Sequence, residues 1–372
     1  DRSMEEKMVL ICPRKYVQGK GVLSEAGKYA ALVGPKAMIL WDSMVRQIAQ
    51  KPLLDGLAAA GVEVVECLFN GECTKAEAER VAGEIRSSGA KVVLGVGGGK
   101  ILDTAKAASA WTDTPMITVP TIASTDSPTS AATVWYDEGG NCVGWDCWKF
   151  NPEAVIVDTA VIAQAPVRAF VAGMGDALST WLECEAGHKS RPVGLSGGQA
   201  TMVSLAIARL CFETLLEWGI EAKAAVERKV VTPAVEKVVE ANVLMSGIGF
   251  ESGSLASSHA VANALSNLAD CHKSMHGEKV GFGIVTQLCL DEEAACDETY
   301  AIVDWMIEVG LPVCFDDLGI QDTSRDHLRP VAEAAAAEGN ISHWHNFKVS
   351  TESILDAMFA ADSLGRRRKA IA

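Results

Sequence analysis

The sequence predicts an α/β N-terminal domain with a parallel sheet, followed by an all-α C-terminal domain. Three observations carry this. Short apolar runs alternate with helix-length segments as far as Asp158, and the strand signal then disappears. From Ala172 onward, Ala- and Leu-rich stretches succeed one another, broken at Gly, Pro and Asp. Short apolar strands between helices are the pattern of a parallel sheet covered on both faces. At 372 residues, nearly half of them hydrophobic, the chain is long enough for two cores.

Taken in order, a helix is expected over Leu23–Leu32, a strand over Ala37–Trp41, a helix over Met44–Ala60 and a strand over Val62–Leu68. A helix over Lys75–Ser88, a strand over Val92–Val96, a helix over Gly99–Ala110 and strands over Met116–Pro120 and Val155–Asp158 follow. Trp135–Trp148 departs from the alternation: YDEGGNCVGW places a turn signal between β-prone flanks and predicts a hairpin. Pro166 in QAPVRAF marks a junction, giving domains 1–164 and 165–372. A cleft between two such halves is where a cofactor and a substrate would meet. No internal repeat or low-complexity segment is present, and Ala332–Ala337 belongs to an alanine-rich helix.

Composition narrows the partners. The net charge of −15 argues against nucleic acid, whose phosphates require a basic face. The one basic run, Arg366–Lys369, is expected to be a solvated helix end that offsets the macrodipole. Eleven scattered cysteines form no C-x-x-C pair, the closest being Cys142 with Cys147 and Cys67 with Cys73. This usage fits a reducing, cytoplasmic setting. No apolar run reaches the ~18 residues of a membrane span. The start, DRSMEEKMVL, lacks a secretory core, and Asp1–Ser3 ahead of Met4 are read as an expression remnant.

Gly97, Gly98 and Gly99 lie between the expected fourth strand and the helix that continues from Lys100, in VLGVGGGKILDTAKAA. Glycines there let backbone amides approach a pyrophosphate at a helix N-terminus. They serve equally in a purely structural tight turn. The run is not G-x-G-x-x-G, because Lys100 and Ile101 follow. It is not a P-loop either, with Leu94 and Ile101 at the diagnostic positions. Asp42, ending ILWD, suits a ribose 2′-hydroxyl and would repel a 2′-phosphate, hence NAD. It would also serve as an N-cap for the helix from Met44, a job Ser43 could share. In VPTIASTDSPTSA, Thr121, Ser124, Thr125 and Asp126 could line a cofactor or polyol site or form an ordinary loop of Asx and Ser turns.

Asp176, His259 and His276 stand in GMGDALSTW, ESGSLASSHAVANAL and SMHGEKVGFG. Two imidazoles and one carboxylate leave a tetrahedral metal one open position, which suits a catalytic zinc better than a structural one. Spacing alone leaves the alternative that the histidines are satisfied core residues and that Asp176 caps the helix of ALSTWLECEA. His188, His272 and His327 lie in polar contexts and are expected at the surface.

The ordered strings GGGKILDTAK, VPTIASTD, NPEAVIVDT, GMGDA, VVTPAVEKVVEANVLMSGIGF, GFESGSLASSHAV, HGEKVGFG and AAEGNISHWHN resemble the glycerol dehydrogenases of the iron-containing, or type III, alcohol dehydrogenase family. The likeness runs from about residue 8 to about residue 365. It implies a dinucleotide-binding α/β domain followed by a helical metal-carrying domain, the dehydroquinate synthase-like architecture. By resemblance, Asp176, His259 and His276 are the zinc ligands and also touch substrate, as does Asp126. The same resemblance carries NAD contacts onto Asp42, Gly97, Gly98, Lys100, Asp103, Thr121, Ser130, Ala132 and Val134. It further implies a homo-oligomer, commonly an octamer. Departures fall at GWDCWKFNP in the hairpin, at Ser254, and at Ser274 and Met275; no ligand is lost, but the substrate range is put in question.

The activity so implied is reversible oxidation of glycerol, or another vicinal diol, to dihydroxyacetone with NAD and Zn2+, Fe2+ being possible with the same ligands. No single histidine base stands out; His272 and Asp126 are candidates. A related NAD(P)-dependent reductase of 2-oxo acids or small ketones would need a cation for a carboxylate. A dehydroquinate synthase-like lyase would need several basic residues. Few stand near the metal motifs.

Overall fold

The computed structural model describes residues 7–371; Asp1–Ser3 and Met4 lie outside them. Two compact units are present. One comprises Cys12–Phe170 with a return from Ala224–Gly247; the other comprises Val171–Lys223, the chain from Ile248 onward and the segment ending at Ile11.

The first unit holds a six-stranded, all-parallel sheet. Its strands are β1 (Tyr16–Gly19), β2 (Lys36–Trp41), β3 (Glu63–Leu68), β4 (Val92–Gly97), β5 (Met116–Pro120) and β8 (Ala154–Asp158), in the order β1-β8-β5-β4-β2-β3. β4, β5 and β8 are buried at every position, as strands covered on both faces must be. Helices α1 (Ala26–Val33), α2 (Ser43–Ala59), α3 (Lys75–Ser88) and α4 (Gly99–Trp111) connect them. The expected elements are all present. β1 was not anticipated: YVQG is a four-residue edge strand with no apolar run. The helix expected from Leu23 begins as a 3-10 turn over Val22–Glu25.

The antiparallel hairpin pairs β6 (Ala132–Tyr136) with β7 (Cys142–Cys147), starting three residues earlier than expected. Trp135 stacks on Trp111 at 5.7 Å, and Trp148 meets both edge-on. The Trp148 indole donates to Thr133 Oγ1 at 2.9 Å, so this tryptophan anchors the hairpin, whereas Trp145 is exposed.

Helices α5 (Thr159–Gln164), α6 (Val167–Ser190), α7 (Met202–Glu227), α8 (Pro233–Glu240), α9 (Ser246–Ser252), α10 (Ser257–Leu265), α11 (His276–Leu290), α12 (Cys296–Val309), α13 (Arg325–Ala335) and α14 (Thr351–Lys369) follow. No named strand occurs after β8 among the described residues. A π-helical turn, Ala241–Met245, joins α8 to α9. Within the sheet unit, Glu236 of the return segment accepts from Gln18 Nε2 and Thr159 Oγ1 at 2.7 Å each. In the helical unit, Phe315 packs on Phe282 and Phe359. The basic end of α14 is not merely solvated: Arg366 pairs with Asp316 and Asp362, Arg368 with Asp304, and Lys369 with Asp317. No helix is long and apolar enough to cross a membrane.

Asp158 ends β8 and ties three backbone amides: Oδ1 accepts from Gly21 and Ala160, and Oδ2 from Leu23. Asp158→Asn would turn one acceptor into a donor facing an N–H. The expected cost is about 1–3 kcal/mol, read as a lower urea midpoint with an unchanged slope.

Candidate metal and dinucleotide sites

The sheet unit places its expected cofactor residues at the carboxyl ends of adjacent strands, where open parallel sheets bind ligands. Asp42 follows β2, Gly97 ends β4 and Gly98 follows it, and Thr121 follows β5. The chain leaves β2 towards β3 and returns to β4 on the other side of β2, so Asp42 and the glycines flank the point where strand order reverses. Gly97 has φ of +150°, and a Cβ there would come within 2.5 Å of Ile101 Cδ1. Gly98 is the N-cap of α4 and offers no side chain, leaving the first-turn amides for an anion. Asp42 does cap α2, its Oδ1 accepting from Val45 N at 2.7 Å. Both readings of this residue are compatible, because a carboxylate has several lone pairs.

Lys100 is half-exposed, pairs with Glu72 and lies over the Tyr136 ring at 5.0 Å. Asp103 is buried and engaged inside the protein: Oδ1 accepts from Ser127 Oγ at 2.6 Å and pairs with Lys106 Nζ at 2.8 Å, and Oδ2 accepts from Val134 N at 2.9 Å. Lys106, only 3 % exposed, also donates to Ser127 O and Ser130 Oγ. Ser130 Oγ in turn accepts from Ala132 N. Asp103, Ser130, Ala132 and Val134 therefore form one network centred on a lysine that the sequence reading missed. Its signal was the i, i+3 acid–base spacing on α4.

The helical unit brings Asp176, His259 and His276 together, with ligand atoms all within 4.8 Å of one another. Asp176 Oδ1 lies 3.2 Å from His259 Nε2 and 3.4 Å from His276 Nε2. Two donors, each ~2.0–2.1 Å from a tetrahedral ion, sit about 3.3 Å apart, so the separations fit a zinc-sized cation. Glycines set this approach. A Cβ on Gly175 would lie 2.3 Å from Gly277 O, one on Gly277 1.7 Å from Ala172 O, and one on Gly283 2.2 Å from Ser258 O. Backbone thus meets backbone where α6, α10 and α11 carry the three side chains.

Glu183, also missed from the sequence, lies seven residues after Asp176 on α6, and both side chains are fully buried. Its Oε2 is 2.6 Å from His259 Nδ1. Its Oε1 accepts from the backbone N–H groups of Ala256 and His259 at 2.8 and 2.9 Å, capping α10 from a distant helix. A carboxylate on Nδ1 turns Nε2 towards a metal. Burial opposes charge on the His259 ring, but Glu183 and Asp176 together raise its pKa well above the ordinary histidine value. Burial likewise opposes ionisation of Asp176, and the two imidazoles outweigh it, holding the carboxyl well below its usual range. A metal ion would replace the shared protons.

Of the other histidines, His188 and His272 are exposed as expected. His327 is half-buried and lies 3.3 Å from Asp270, so its polar surroundings in sequence include a partner rather than open solvent. Asp126 is buried and accepts from Ser246 Oγ at 2.7 Å.

A family model described as iron-containing alcohol dehydrogenase matches residues 13–159. The chain is 42 % identical to glycerol dehydrogenase from Citrobacter freundii, the match covering 96 % of this chain and 98 % of that protein. It is 41 % identical to glycolaldehyde reductase from Halobacterium salinarum, covering 95 % and 97 %. The crystal structure of glycerol dehydrogenase from Schizosaccharomyces pombe is similar with a TM-score of 0.94 and 34 % identity, over 98 % of this chain and 93 % of that one. The chain belongs to the iron-containing alcohol dehydrogenase family. It is accordingly an NAD-dependent oxidoreductase acting on CH–OH groups, and a metal takes part.

Replacing the Glu183 carboxylate should weaken metal binding without unfolding the chain. Glu183→Gln is expected to lower metal affinity about 10–100-fold, measured as metal retained against graded chelator. His259→Ala should lose both metal and turnover. Unchanged retention in Glu183→Gln would show that the ring orientation does not depend on this carboxylate.

Proposed function

We propose that this chain catalyses the reversible oxidation of glycerol, and of other vicinal diols, to the corresponding hydroxyketone (dihydroxyacetone from glycerol) with NAD, at a zinc centre held by Asp176, His259 and His276. The observation that carries the proposal is the convergence of these three donors with Glu183 behind His259. The full-length likeness to glycerol dehydrogenases supports the substrate. Ferrous iron suits the same donors. By family resemblance the enzyme works as a homo-oligomer, an octamer, and the free thiols of its cysteines fit the cytoplasm.

In this proposal the sheet unit, Cys12–Phe170 with Ala224–Gly247, binds the dinucleotide and the helical unit carries the metal and the catalysis, rather than the contiguous halves 1–164 and 165–372 expected from the sequence. The amides at the start of α4 receive the pyrophosphate, and Asp42 accepts from the ribose 2′-hydroxyl. Thr121 and the Ser130–Val134 segment orient the nicotinamide, Lys100 contacts the cofactor from the first turn of α4, and Asp103 holds the loop. An ion held by Asp176, His259 and His276 would supply Lewis-acid chemistry that makes an alcohol hydroxyl more acidic, and NAD would accept the hydride. Asp126 accepts a hydrogen bond from the neighbouring hydroxyl of a diol and disfavours anionic substrates by charge repulsion. His272, being exposed, gives no support to a buried histidine base; the proton passes to water or a cofactor ribose hydroxyl. A second reading, reduction of a small hydroxyaldehyde, is favoured by the likeness to glycolaldehyde reductase.

The deciding assay follows NAD reduction by the zinc-loaded protein with glycerol, 1,2-propanediol, ethylene glycol, 2-propanol and lactate, and NADH oxidation with dihydroxyacetone and glycolaldehyde. A preference for lactate over glycerol would overturn the proposal. Two variants sharpen it. Asp42→Gly should narrow the gap between NAD and NADP, and a wild type that prefers NADP would remove Asp42 from its assigned role. Asp126→Asn should cost diols roughly tenfold in kcat/KM and 2-propanol much less.

A further inference from the structure

The loop that carries Asp126 is clasped by a distant segment of the same compact unit. Ala241–Met245 form a π-helical turn, in which Ser246 N donates to Ala241 O, five residues back. Such bulges cost regular helical hydrogen bonding and recur at functional sites. Here the departure has visible uses. Thr129 Oγ1 donates to Val243 O at 3.1 Å. Asn242, fully buried, donates from Nδ2 to Ala123 O at 3.1 Å and to Phe170 O at 3.2 Å. Gly247 lets the helix press on the loop, since a Cβ there would fall 1.7 Å from Thr129 Oγ1 and 3.1 Å from Asp126 O. At the centre, fully buried Ser246 donates from Oγ to Asp126 Oδ2 at 2.7 Å.

We propose that Ser246 is a positioning residue for substrate recognition, holding the Asp126 carboxylate in the orientation that receives the second hydroxyl of a vicinal diol. This rests on the reading of Asp126 as the diol contact. The terminal torsion of an aspartate is broad and roughly two-fold, so a residue on a loop gains a defined carboxylate plane only from a partner on one oxygen. A hydroxyl is suited to that task. It makes a short, charge-assisted bond with the carboxylate and brings no charge of its own, leaving Asp126 an acceptor. The π-turn sets the register: with a regular turn, the residues after Met245 would be rotated about the helix axis by roughly 100° per residue, and Ser246 would no longer face Asp126.

The test compares Ser246→Ala, Ser246→Thr, Asp126→Asn and the Ser246→Ala/Asp126→Asn double variant, each metal-loaded and with its melting temperature recorded. KM and kcat are measured for glycerol, 1,2-propanediol and 2-propanol. Ser246→Ala is expected to raise KM for both diols roughly tenfold, with 2-propanol changed less than about twofold. Ser246→Thr, which keeps the hydroxyl, should recover most of the loss. In the Asp126→Asn background, Ser246→Ala should add nothing further, because both changes remove the same interaction. Equal losses on diols and 2-propanol, or losses that multiply with those of Asp126→Asn, would overturn the proposal. If Asp126→Asn itself fails to separate diols from 2-propanol, the reading of Asp126 falls and this role falls with it. If Asp126→Asn separates them and Ser246→Ala does not, only the role of Ser246 falls. Should Ser246→Ala not fold, Ser246→Cys, with a weak donor of similar shape, must show a smaller loss of the same selectivity for the proposal to stand.

Discussion

Two carboxylates, Asp176 and Glu183, are fully buried two turns apart on α6, and the helical unit must accommodate both. An isolated ionised carboxylate cannot be taken out of water at tolerable cost, and removing one partner of a buried pair costs about 3–5 kcal/mol. The surrounding structure answers that demand. His259 stands between them, with one ring nitrogen on each. The amides that open α10 are spent on Glu183. His276 approaches Asp176 from the first residue of α11. A divalent cation with two neutral imidazoles would balance two carboxylate charges. The same arrangement that makes the helices compatible with buried acid is therefore one that could hold a metal ion.

The sheet unit solves a different problem. Of its expected cofactor residues Asp103 carries a buried charge, and others stand at the first turn of α4 and the carboxyl ends of β2, β4 and β5. Buried charge appears at Asp103 and Lys106, which satisfy each other and reach out to the hairpin and the Ser127–Ser130 turn. That pair ties α4 to the hairpin and to the Ser127–Ser130 turn. Direct contact with a dinucleotide is easier to assign to groups whose donors or acceptors are not already matched inside the protein.

Most of the sheet was legible because buried parallel strands are short apolar runs with few alternatives. The β4 run VVLGVG and the β5 run MITVP could hardly be anything else. β1 was illegible because YVQG is short and its pairing with β8 is decided by neighbours distant in sequence. The clustered residues Asp176, His259 and His276 were legible as residue types inside glycine-bearing motifs, and resemblance singled them out as candidate metal donors. What spacing could not express was the close backbone approach at Gly175 and Gly277, since two glycines more than a hundred positions apart carry no local sign of contact. Glu183 had a readable sign, the seven-residue interval from Asp176, but that interval on a helix marks an ordinary core face far more often than a paired acid.

The return of Ala224–Gly247 to the sheet unit was the largest feature hidden from a linear reading. Within it, PAVEKVVEANVLMSG, Pro233–Gly247, reads as one uninterrupted helix. The structure breaks that regularity at Ala241–Met245 and uses the polar residues there, Asn242 and Ser246, against loop atoms rather than solvent. A loop at the carboxyl end of a central strand is free to vary in a way the strand is not. If such a loop is to present a carboxylate at a fixed place, the rigidity must come from outside it. A helix that arrives from elsewhere in the chain, thinned by Gly247 and rotated by a π-turn, supplies that rigidity with two hydrogen-bonding side chains, one backbone carbonyl and one missing Cβ.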